Sequence, residues 1–392
     1  MSGMILLTPG PTPVPQRVRD AMAGPIIHHR TPEYEALQAE CDSGLQAVFR
    51  TRSPVLTLVG SGSAAFEAAQ LSLAQPGDAV VACVNGKFGA RWQSVFDRAA
   101  PRAGLQCASV EAPWGEPVDP DRLAVALRRT PNVSIVTAVH CETSTTTLND
   151  VRALAEVTRA EAPEALFIVD GVSAVGAVPA EMDAWGFDVM VSASQKALML
   201  PPGLGFAAVG ERARQRLAAI GDDSMLAPMY LDLRAYLGGH AEQSPPFTPA
   251  VSLMVGLRES FAMIIERGGV EAVWRDVARR AGATRAALQA MGLRLVTNAT
   301  SDAVTGVFAP DDAGNAIRDI CRREHGVHLA GGQNEWAGRV LRISHMGAVT
   351  DEDALAGVRA IAAALQVLGP SGSVDPIAGV REMEARLFDA TV

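Results

Sequence analysis

The feature that most constrains the fold of this chain is an alternation of short apolar runs with amphipathic helical patterns. VLTLV, AVVACV and VSIVTAV each precede a segment whose apolar residues have helical spacing, and ALFIVD, VMVSAS and GFAAVG follow. Short β-rich runs that are apolar on both faces are typical of parallel strands buried between helices. We therefore predict an α/β fold with a mostly parallel sheet covered by helices, and ligands at the carboxyl ends of its strands.

A change of pattern beyond about Gly268 indicates a second, smaller domain of the α+β class. There LRLVT, AVTGVFA, VHLAG and VLRISHMG alternate with the helix-like NAIRDICRREH and DEDALAGVRAIAAALQVL. We expect the long helix around LMVGLRESFAMIIERGG to join the two domains. The predicted organisation is an extended N-terminal segment (1–20), a large α/β domain (21–267), a small α+β domain (268–370) and a tail with a short helix (371–392).

Composition excludes several classes of protein. Of the 392 residues, 48% are hydrophobic and 20% are charged, which is typical of a globular chain. The 34 basic and 43 acidic side chains give a net charge of −9, which opposes binding to nucleic acid and to anionic membranes. MSGMILLTPGPTPVP has no basic region before its apolar run, and no stretch is long and apolar enough to span a bilayer. We expect a cytoplasmic protein.

The cysteines and histidines predict neither a disulfide framework nor a metal site. The five cysteines are odd in number and scattered, without a C-x-x-C pair, which suggests reduced thiols. The seven histidines also lack the spacing of metal ligands.

Lys196 is a charged residue between an apolar run and a Pro/Gly-rich turn, in VMVSASQKALMLPPGLG. Burying an ammonium group without a partner costs several kcal/mol. Either the side chain extends its head to water, as lysines next to apolar surface often do, or its amine is used in the neutral form. The segment alone leaves both alternatives open.

Ser61, Gly62 and Ser63 lie between a predicted strand and a predicted helix, in LTLVGSGSAAFEAA. Gly60, Gly62 and Ala65 formally satisfy the dinucleotide fingerprint G-x-G-x-x-G/A. That fingerprint needs an acid at the end of the next strand to hold the ribose, where this chain has Asn85. Free N–H groups at a helix N-terminus equally suit a phosphate group, and an ordinary capped helix is a third alternative.

Asp170 closes the apolar strand ALFIVD, at the sheet edge where ligands collect. A role in a turn or cap would explain it. An anion-binding turn, a strand-end aspartate and a lysine beside an apolar run are, however, the three groups that pyridoxal phosphate requires. It needs a phosphate cradle, a carboxylate at its ring nitrogen and an amine for a Schiff base.

Several segments resemble the class V (subgroup IV) pyridoxal-phosphate aminotransferases, especially the alanine/serine–glyoxylate type. They are GSGSAAFEAA, NGKFGAR, HCETSTTT, VDGVSAVGAVPAEMDAWGFDV and SASQKALMLPPGLGF, in the expected order, and the resemblance extends from LLTPGPTPVP to VLRISHMG. It implies the fold type I architecture, with a seven-stranded, mostly parallel sheet, and pyridoxal phosphate as cofactor. It also implies a homodimer with shared active sites.

The resemblance assigns a role to each matching position. Lys196 corresponds to the Schiff-base lysine, and Arg342 to the arginine that binds the substrate α-carboxylate. Thr248 corresponds to a residue that reaches the phosphate of the neighbouring subunit. The other positions implied in cofactor binding are the phosphate turn Ser61, Gly62 and Ser63, the stacking ring Phe88, Thr143 near the phenolic oxygen, Asp170 at the ring nitrogen, Val172 on the opposite ring face, and Gln195 near the phosphate.

Two positions depart from the family pattern. Thr146 stands where the family loop usually has glycine, so a backbone with φ > 0 there would be strained. Phe88 replaces a frequent tryptophan, which keeps a ring face and loses the indole donor.

We expect transfer of an amino group from a small amino acid, alanine or serine, to a 2-oxo acid such as glyoxylate or pyruvate by a ping-pong mechanism. Aspartate or 2-aminoethylphosphonate transamination, a pyridoxal-phosphate lyase or desulfurase, and an NAD-binding enzyme are the alternatives. A desulfurase needs a mobile nucleophilic cysteine, and none lies in a convincing catalytic loop near Arg342. His28, His29 or Arg30, in IIHHRTPEYEAL, could approach the substrate side chain or belong to a polar loop at a domain junction.

Overall fold

The computed structural model describes residues 3–369 and 374–388. Its strands are β1 Ile5–Leu6, β2 Val55–Gly60, β3 Ala79–Val84, β4 Gln106–Glu111, β5 Val133–Val139, β6 Cys141–Glu142, β7 Thr147–Leu148, β8 Leu166–Asp170, β9 Val189–Ala193, β10 Gly203–Val209, β11 Val304–Phe308, β12 Val327–His328, β13 Ala330–Gly331 and β14 Val340–Ser344. Its α-helices are α1 Gln16–Met22, α2 Pro32–Phe49, α3 Gly62–Leu73, α4 Lys87–Ala103, α5 Pro120–Arg129, α6 Val151–Glu161, α7 Met182–Trp185, α8 Glu211–Ala219, α9 Leu233–Ala241, α10 Val251–Glu266, α11 Val270–Ala290, α12 Gly314–His325, α13 Asp351–Leu368 and α14 Pro376–Phe388.

A seven-stranded sheet forms the centre of the molecule, in the order β2-β10-β9-β8-β5-β3-β4. Alternate residues of each strand enter two separate cores. Phe167 and Val169 of β8 belong to one core, and Ile168 belongs to the other. Helices cover both faces, so the strands are apolar throughout, and the predicted α/β fold with a mostly parallel sheet is confirmed.

Strand β10 runs antiparallel to both of its neighbours, β2 and β9. The connection from β9 to β10 contains no helix. A crossover to a parallel strand requires a dozen or more residues, so this short connection returns the chain in the opposite direction. The other six strands are parallel, and their carboxyl ends meet at one edge of the sheet.

Strand β4 is one element that the sequence patterns did not reveal. It lies at the edge of the sheet, paired with β3 alone. Its sequence QCASVE is mostly half-buried or exposed, because one side of an edge strand has no neighbour. A search for continuous apolar runs therefore passes over it.

The C-terminal part contains an antiparallel sheet in the order β11-β14-β13, packed against α11, α12 and α13. LRLVT, which we expected to be a strand, forms only an isolated bridge between Leu295 and Val307. The long joining helix is also interrupted. Helix α10 ends at Glu266, Gly268 and Gly269 adopt φ of +96° and +87°, and α11 begins at Val270. The domain boundary at residue 267 stays a prediction.

The N-terminal segment crosses from one part of the molecule to the other. Strand β1 pairs in parallel with β12 of the C-terminal part. Helix α1 begins at Gln16, inside the segment that we expected to be extended, and packs against α10 through Val18. The tail helix α14 packs on α11, where Gly379 meets Met291. Residues 370–373 and 389–392 of the predicted domain and tail lie outside the described residues. No helix within the described residues could cross a membrane.

Candidate active site

A cavity of about 280 Å³ lies at the carboxyl edge of the central sheet. The segments that follow β2, β3, β5, β8 and β9 surround it, as expected for ligand sites in open α/β sheets. Its lining residues are Ser61, Gly62, Ser63, Phe66, Phe88, Arg91, Val139, Cys141, Thr143, Asp170, Val172, Ser173, Gln195 and Lys196. The structure thus brings together all the predicted site residues except Thr248 and Arg342.

The predicted phosphate turn joins β2 to α3. Ser61 has extended backbone (φ −89°, ψ 174°), no side-chain bond caps the helix, and its first turn contains no acid. A Cβ atom at Gly62 would lie 2.9 Å from Val172 Cγ2, so only glycine fits between the turn and the segment after β8. The uncapped N–H groups and the helix dipole make this end of the cavity favourable for an anion.

Lys196 is largely buried and lines the cavity, so its head does not extend to the outer surface of the protein. Its Nζ donates a hydrogen bond to the carbonyl oxygen of Pro9 at 2.5 Å. Gly10 makes this approach possible, because a Cβ there would lie 2.5 Å from Nζ. Burial lowers the pKa of Lys196 from 10.5 to about 8, although the nearby carboxylate of Asp170 opposes the shift. An amine with this pKa is partly neutral near physiological pH.

Asp170 faces the same cavity from the end of β8. One carboxylate oxygen accepts from Trp92 Nε1 at 3.0 Å, and the other accepts from the Val172 amide at 2.9 Å. Burial raises the pKa of Asp170, while these two hydrogen bonds oppose the rise. Both donors are neutral, so a cationic N–H placed in the cavity would stabilise the carboxylate further.

Glu142 holds the loop between β5 and β7 against the start of α4. Its carboxylate accepts from the backbone amides of Phe88 and Gly89, each at 3.0 Å, and from the amide and hydroxyl of Ser144. The side chain is fully buried, and this burial raises its pKa despite those bonds. Glu142 therefore fixes the backbone at Phe88, from which the ring extends. Glu142 belongs to the motif HCETSTTT, from which no role was predicted for it.

Arg342 lies on β14, outside the cavity lining but bonded to a residue of that lining. Its Nε donates to the Gly331 carbonyl at 2.8 Å, and its Nη1 donates to the Thr143 carbonyl at 2.7 Å. Burial lowers its pKa to about 10, and the nearby Glu142 opposes this shift. Thr143 itself contacts Ser173 through a hydroxyl–hydroxyl bond of 2.6 Å. The guanidinium is thus fixed next to the cavity.

Thr146 has a φ of +56°, so the strained backbone that its sequence position predicted is present. Its side chain faces Gly306 of β11, where a Cβ would lie 2.8 Å from Thr146 Oγ1. Gly306 is the register partner of Arg342. The missing side chain at Gly306 therefore provides the space that threonine needs in this loop.

Thr248 lies in a surface groove with His28 and His29, separate from the cavity of its own chain. The two histidine rings are 4.8 Å apart, and Arg30 donates to the Ser244 hydroxyl. None of these residues lines the cavity that contains Lys196.

The lining also includes residues that the sequence did not predict: Phe66, Arg91, Val139, Cys141 and Ser173. Arg91 was detectable, since it follows Phe88 by three positions on one helix and so shares its face. Cys141 places a thiol at the cavity wall, although the sequence predicted no cysteine in a catalytic loop near Arg342. Burial raises its pKa to about 12, so it is not an activated nucleophile.

The cavity fits a phosphorylated pyridine aldehyde. Gln195 contributes a buried Oε1 atom that has no hydrogen-bond partner among the described residues. The turn, the carboxylate of Asp170 and the amine of Lys196 provide the three groups required by such a cofactor. Within residues 3–369 and 374–388, no cluster of three or more His, Cys, Asp or Glu side chains could hold a metal ion.

The family model described as "Aminotransferase class-V" matches residues 4–354. The chain belongs to the class-V aminotransferase family. This membership identifies it as an aminotransferase and not a dinucleotide enzyme, in agreement with the resemblance described above. The family implies pyridoxal phosphate as the cofactor.

Three curated relatives show the range of names among similar proteins. The chain is 37% identical over 93% of its length to "Soluble hydrogenase 42 kDa subunit" of Anabaena cylindrica, covering 94% of that protein. It is 34% identical to "L-aspartate--glyoxylate aminotransferase" of Paracoccus denitrificans, with 90% of this chain and 89% of that one covered. It is 33% identical to "Serine--glyoxylate aminotransferase" of Methylorubrum extorquens, with 96% and 94% covered.

Solved structures show the same fold. Ureidoglycine–glyoxylate aminotransferase from Bacillus subtilis superposes with a TM-score of 0.90 at 26% identity, covering 98% of each chain. Alanine–glyoxylate aminotransferase from Nostoc sp. gives a TM-score of 0.86 at 30% identity, covering 93% of this chain and 96% of that one. The predicted fold type I architecture is confirmed.

Proposed function

We propose that this aminotransferase binds pyridoxal phosphate in the cavity around Lys196 and transfers the amino group of a small amino acid, alanine or serine, to a 2-oxo acid such as glyoxylate. The observation that carries this proposal is that Lys196, Asp170 and the uncapped N-terminus of α3 meet in one cavity. When bound, pyridoxal phosphate supplies an aldehyde for amine exchange and a ring that withdraws electrons from the substrate α-carbon.

Lys196 is the proton-transfer group in this proposal. Its pKa of about 8 leaves a useful fraction of neutral amine near physiological pH. In that form Nζ takes the proton from the substrate α-carbon. In the chain without cofactor, the carbonyl of Pro9 accepts from Nζ and holds the amine at the cavity wall. Asp170 would hold the cationic ring N–H of a bound cofactor, with its two carboxylate oxygens already oriented by Trp92 and Val172.

Arg342 binds the substrate α-carboxylate. Its bonds to Gly331 and Thr143 occupy two of the five N–H donors of a guanidinium group, which leaves the others for a carboxylate. The same bonds fix the plane of the group, so little side-chain freedom is lost on binding.

The cavity favours a small substrate. Ligand pockets usually measure about 300–1,000 Å³, and this one has about 280 Å³ for the cofactor and the substrate together. Similar proteins include alanine–, serine– and aspartate–glyoxylate aminotransferases, which supports glyoxylate as the acceptor. Aspartate is the second candidate donor, because one of these relatives is named for it.

We further propose that the chain forms a homodimer in the cytoplasm. Thr248 lies outside the cavity of its own chain, which supports a role in the partner's site. A net charge of −9 supports substrates that are small molecules and not nucleic acid.

Purified protein should be yellow, and borohydride should attach the cofactor covalently to the peptide that contains Lys196. Half-reaction spectra with alanine, serine and aspartate then identify the donor, by loss of the visible absorbance and appearance of the matching 2-oxo acid. Lys196→Ala is the control and should show no half-reaction. Colourless protein that stays colourless after addition of pyridoxal phosphate would contradict the proposed function. If only aspartate reacts, aspartate is the donor, and alanine and serine are not.

A further inference from the structure

Arg91 is a positively charged residue of the cavity wall that the roles described so far do not use. It lies on α4, three residues after Phe88. Its Nη1 donates to the Ser63 hydroxyl at 3.2 Å, at the N-terminus of α3. Its guanidinium carbon is 5.1 Å from the centre of the Phe88 ring. Arg91 therefore joins the phosphate turn to the aromatic ring that we expect to stack on the cofactor.

Among the charged side chains of the cavity wall, Arg91 is the one that can serve as counter-ion to a phosphate. The charged lining side chains are Arg91, Asp170 and Lys196. Lys196 belongs to the aldehyde end, where its Nζ is bonded to Pro9. The phosphate turn itself offers only hydroxyls, amides and a helix dipole equivalent to about half a charge, whereas a phosphate monoester carries about −1.5 to −2 at pH 7.

Within the described residues, Arg91 forms no salt bridge that would compete with a phosphate, although its charge attracts the carboxylate of Asp170 in the same cavity wall. Among residues 3–369 and 374–388, no carboxylate forms an ion pair with it, and Ser63 is its hydrogen-bond partner. A serine hydroxyl that accepts from a guanidinium keeps its own proton for a second partner. The contact thus orients the Ser63 O–H group away from Arg91, and the Phe88 ring stabilises the guanidinium by a cation–π interaction.

We propose that Arg91 is the counter-charge of the cofactor phosphate, acting on the phosphate directly and through Ser63. This inference rests on the proposed function. It assigns to Arg91 a positioning role for the phosphate end of the cofactor, distinct from the ring contact of Asp170 and the amine of Lys196.

The test compares pyridoxal phosphate with pyridoxal, which lacks the phosphate. Apoenzyme is prepared from the wild type, Arg91→Gln and Arg91→Lys, and the dissociation constant of each ligand is measured from the visible absorbance. For pyridoxal phosphate, Arg91→Gln should bind about 10-fold to 100-fold more weakly, as for loss of a charged hydrogen bond. Its affinity for pyridoxal should change by less than about 2-fold, and Arg91→Lys should recover part of the loss since it keeps the charge.

Competition by inorganic phosphate is an independent test of the same contact. It should compete with pyridoxal phosphate for wild-type apoenzyme, and competition should weaken in Arg91→Gln. Arg98→Gln is the matched control, because Arg98 is an exposed arginine of the same helix. It should behave as the wild type.

An equal loss of affinity for both ligands in Arg91→Gln would show a merely structural role and overturn the inference. Unchanged affinity for pyridoxal phosphate would overturn it as well. In both cases the wild type still binds the cofactor and the proposed function stands. If wild-type apoenzyme binds neither ligand, the proposed function is contradicted, and so is the inference that rests on it.

Discussion

A buried lysine that lacks a carboxylate partner has a specific consequence for its chemistry. Lys196 donates to a backbone carbonyl, which is neutral, so nothing in its first contacts compensates fully for the loss of water. The pKa falls to about 8, whereas a lysine in water titrates near 10.4. Arg342 adds a like charge that lowers the pKa further, and Asp170 opposes it. The balance keeps the amine usable as a nucleophile and a base.

This shift predicts the pH dependence of cofactor addition. The neutral amine is the form that attacks an aldehyde, so the rate at which apoenzyme binds pyridoxal phosphate should rise with pH and level off above about 8. The measurement is the growth of visible absorbance after mixing, at a series of pH values on both sides of that pKa. A blocked lysine in solution serves as the control, and its rate should keep rising toward about 10.4. An enzyme profile that follows the blocked lysine would contradict the buried environment.

Sequence alone indicated Lys196 and Asp170 because charged groups beside apolar runs are costly and therefore conspicuous. Their partners could not be found in the same way. The Pro9 carbonyl and the Trp92 indole are far from them in the chain and carry no unusual sequence signal. Such contacts depend on how separate segments meet, which composition and periodicity do not specify.

At the scale of elements, the hairpin of β6 and β7 connects most parts of the site. Glu142 binds the start of α4, the Thr143 carbonyl binds Arg342 of β14, and Thr146 packs against Gly306 of β11. The loop therefore links the aromatic ring of the large sheet's helix to the arginine of the small sheet. Its conformation requires a positive φ at Thr146, where a side chain normally costs about 1–2 kcal/mol.

The strain at Thr146 predicts that, at this position, a glycine variant is more stable than an alanine variant. Thr146→Gly and Thr146→Ala remove the same contacts with Gly306, except for one carbon atom, so their difference reports mainly on the backbone. We expect Thr146→Gly to be more stable than Thr146→Ala by about 1 kcal/mol, because alanine is strained at positive φ. The thermal midpoints of the two variants under identical conditions check this order.

Thr145 supplies the control for this comparison. It neighbours Thr146 and does not have a positive φ. At position 145 we expect Thr145→Ala to be more stable than Thr145→Gly, because glycine gives the unfolded chain more conformational entropy. If the alanine variant had a higher thermal midpoint than the glycine variant at both positions, the left-handed conformation of Thr146 would be refuted.

Strands were easier to predict than their arrangement. VSIVTAV and ALFIVD became β5 and β8 because both faces of each are buried, and this leaves a continuous apolar signal. LRLVT has a similar signal and forms only one bridge, at Leu295. The antiparallel direction of β10 and the pairing of β1 with β12 depend on connections and distant partners, and no local pattern encodes them.

At the scale of the whole molecule, the position of Thr248 distinguishes an active site formed by one chain from a site shared by two chains. In a self-contained site, Thr248 would lie in the cavity of its own chain. It lies instead in a surface groove with His28 and Pro249. In the proposed homodimer, the groove of one chain would face the cavity of the other, and each cavity would take Lys196 from one chain and Thr248 from its partner.

Hybrid dimers test this sharing. Thr248→Ala dimers should bind pyridoxal phosphate more weakly than wild type, by about 10-fold for one lost hydrogen bond to a charged group. When they are mixed and reassembled with Lys196→Ala chains, each hybrid has one site that contains both Lys196 and Thr248. Half-reaction titrations should then reveal a population with wild-type affinity. Mixing Thr248→Ala with the Lys196→Ala/Thr248→Ala double variant is the control and should restore nothing. Equal affinity in both mixtures would mean that Thr248 does not act on the partner's cavity.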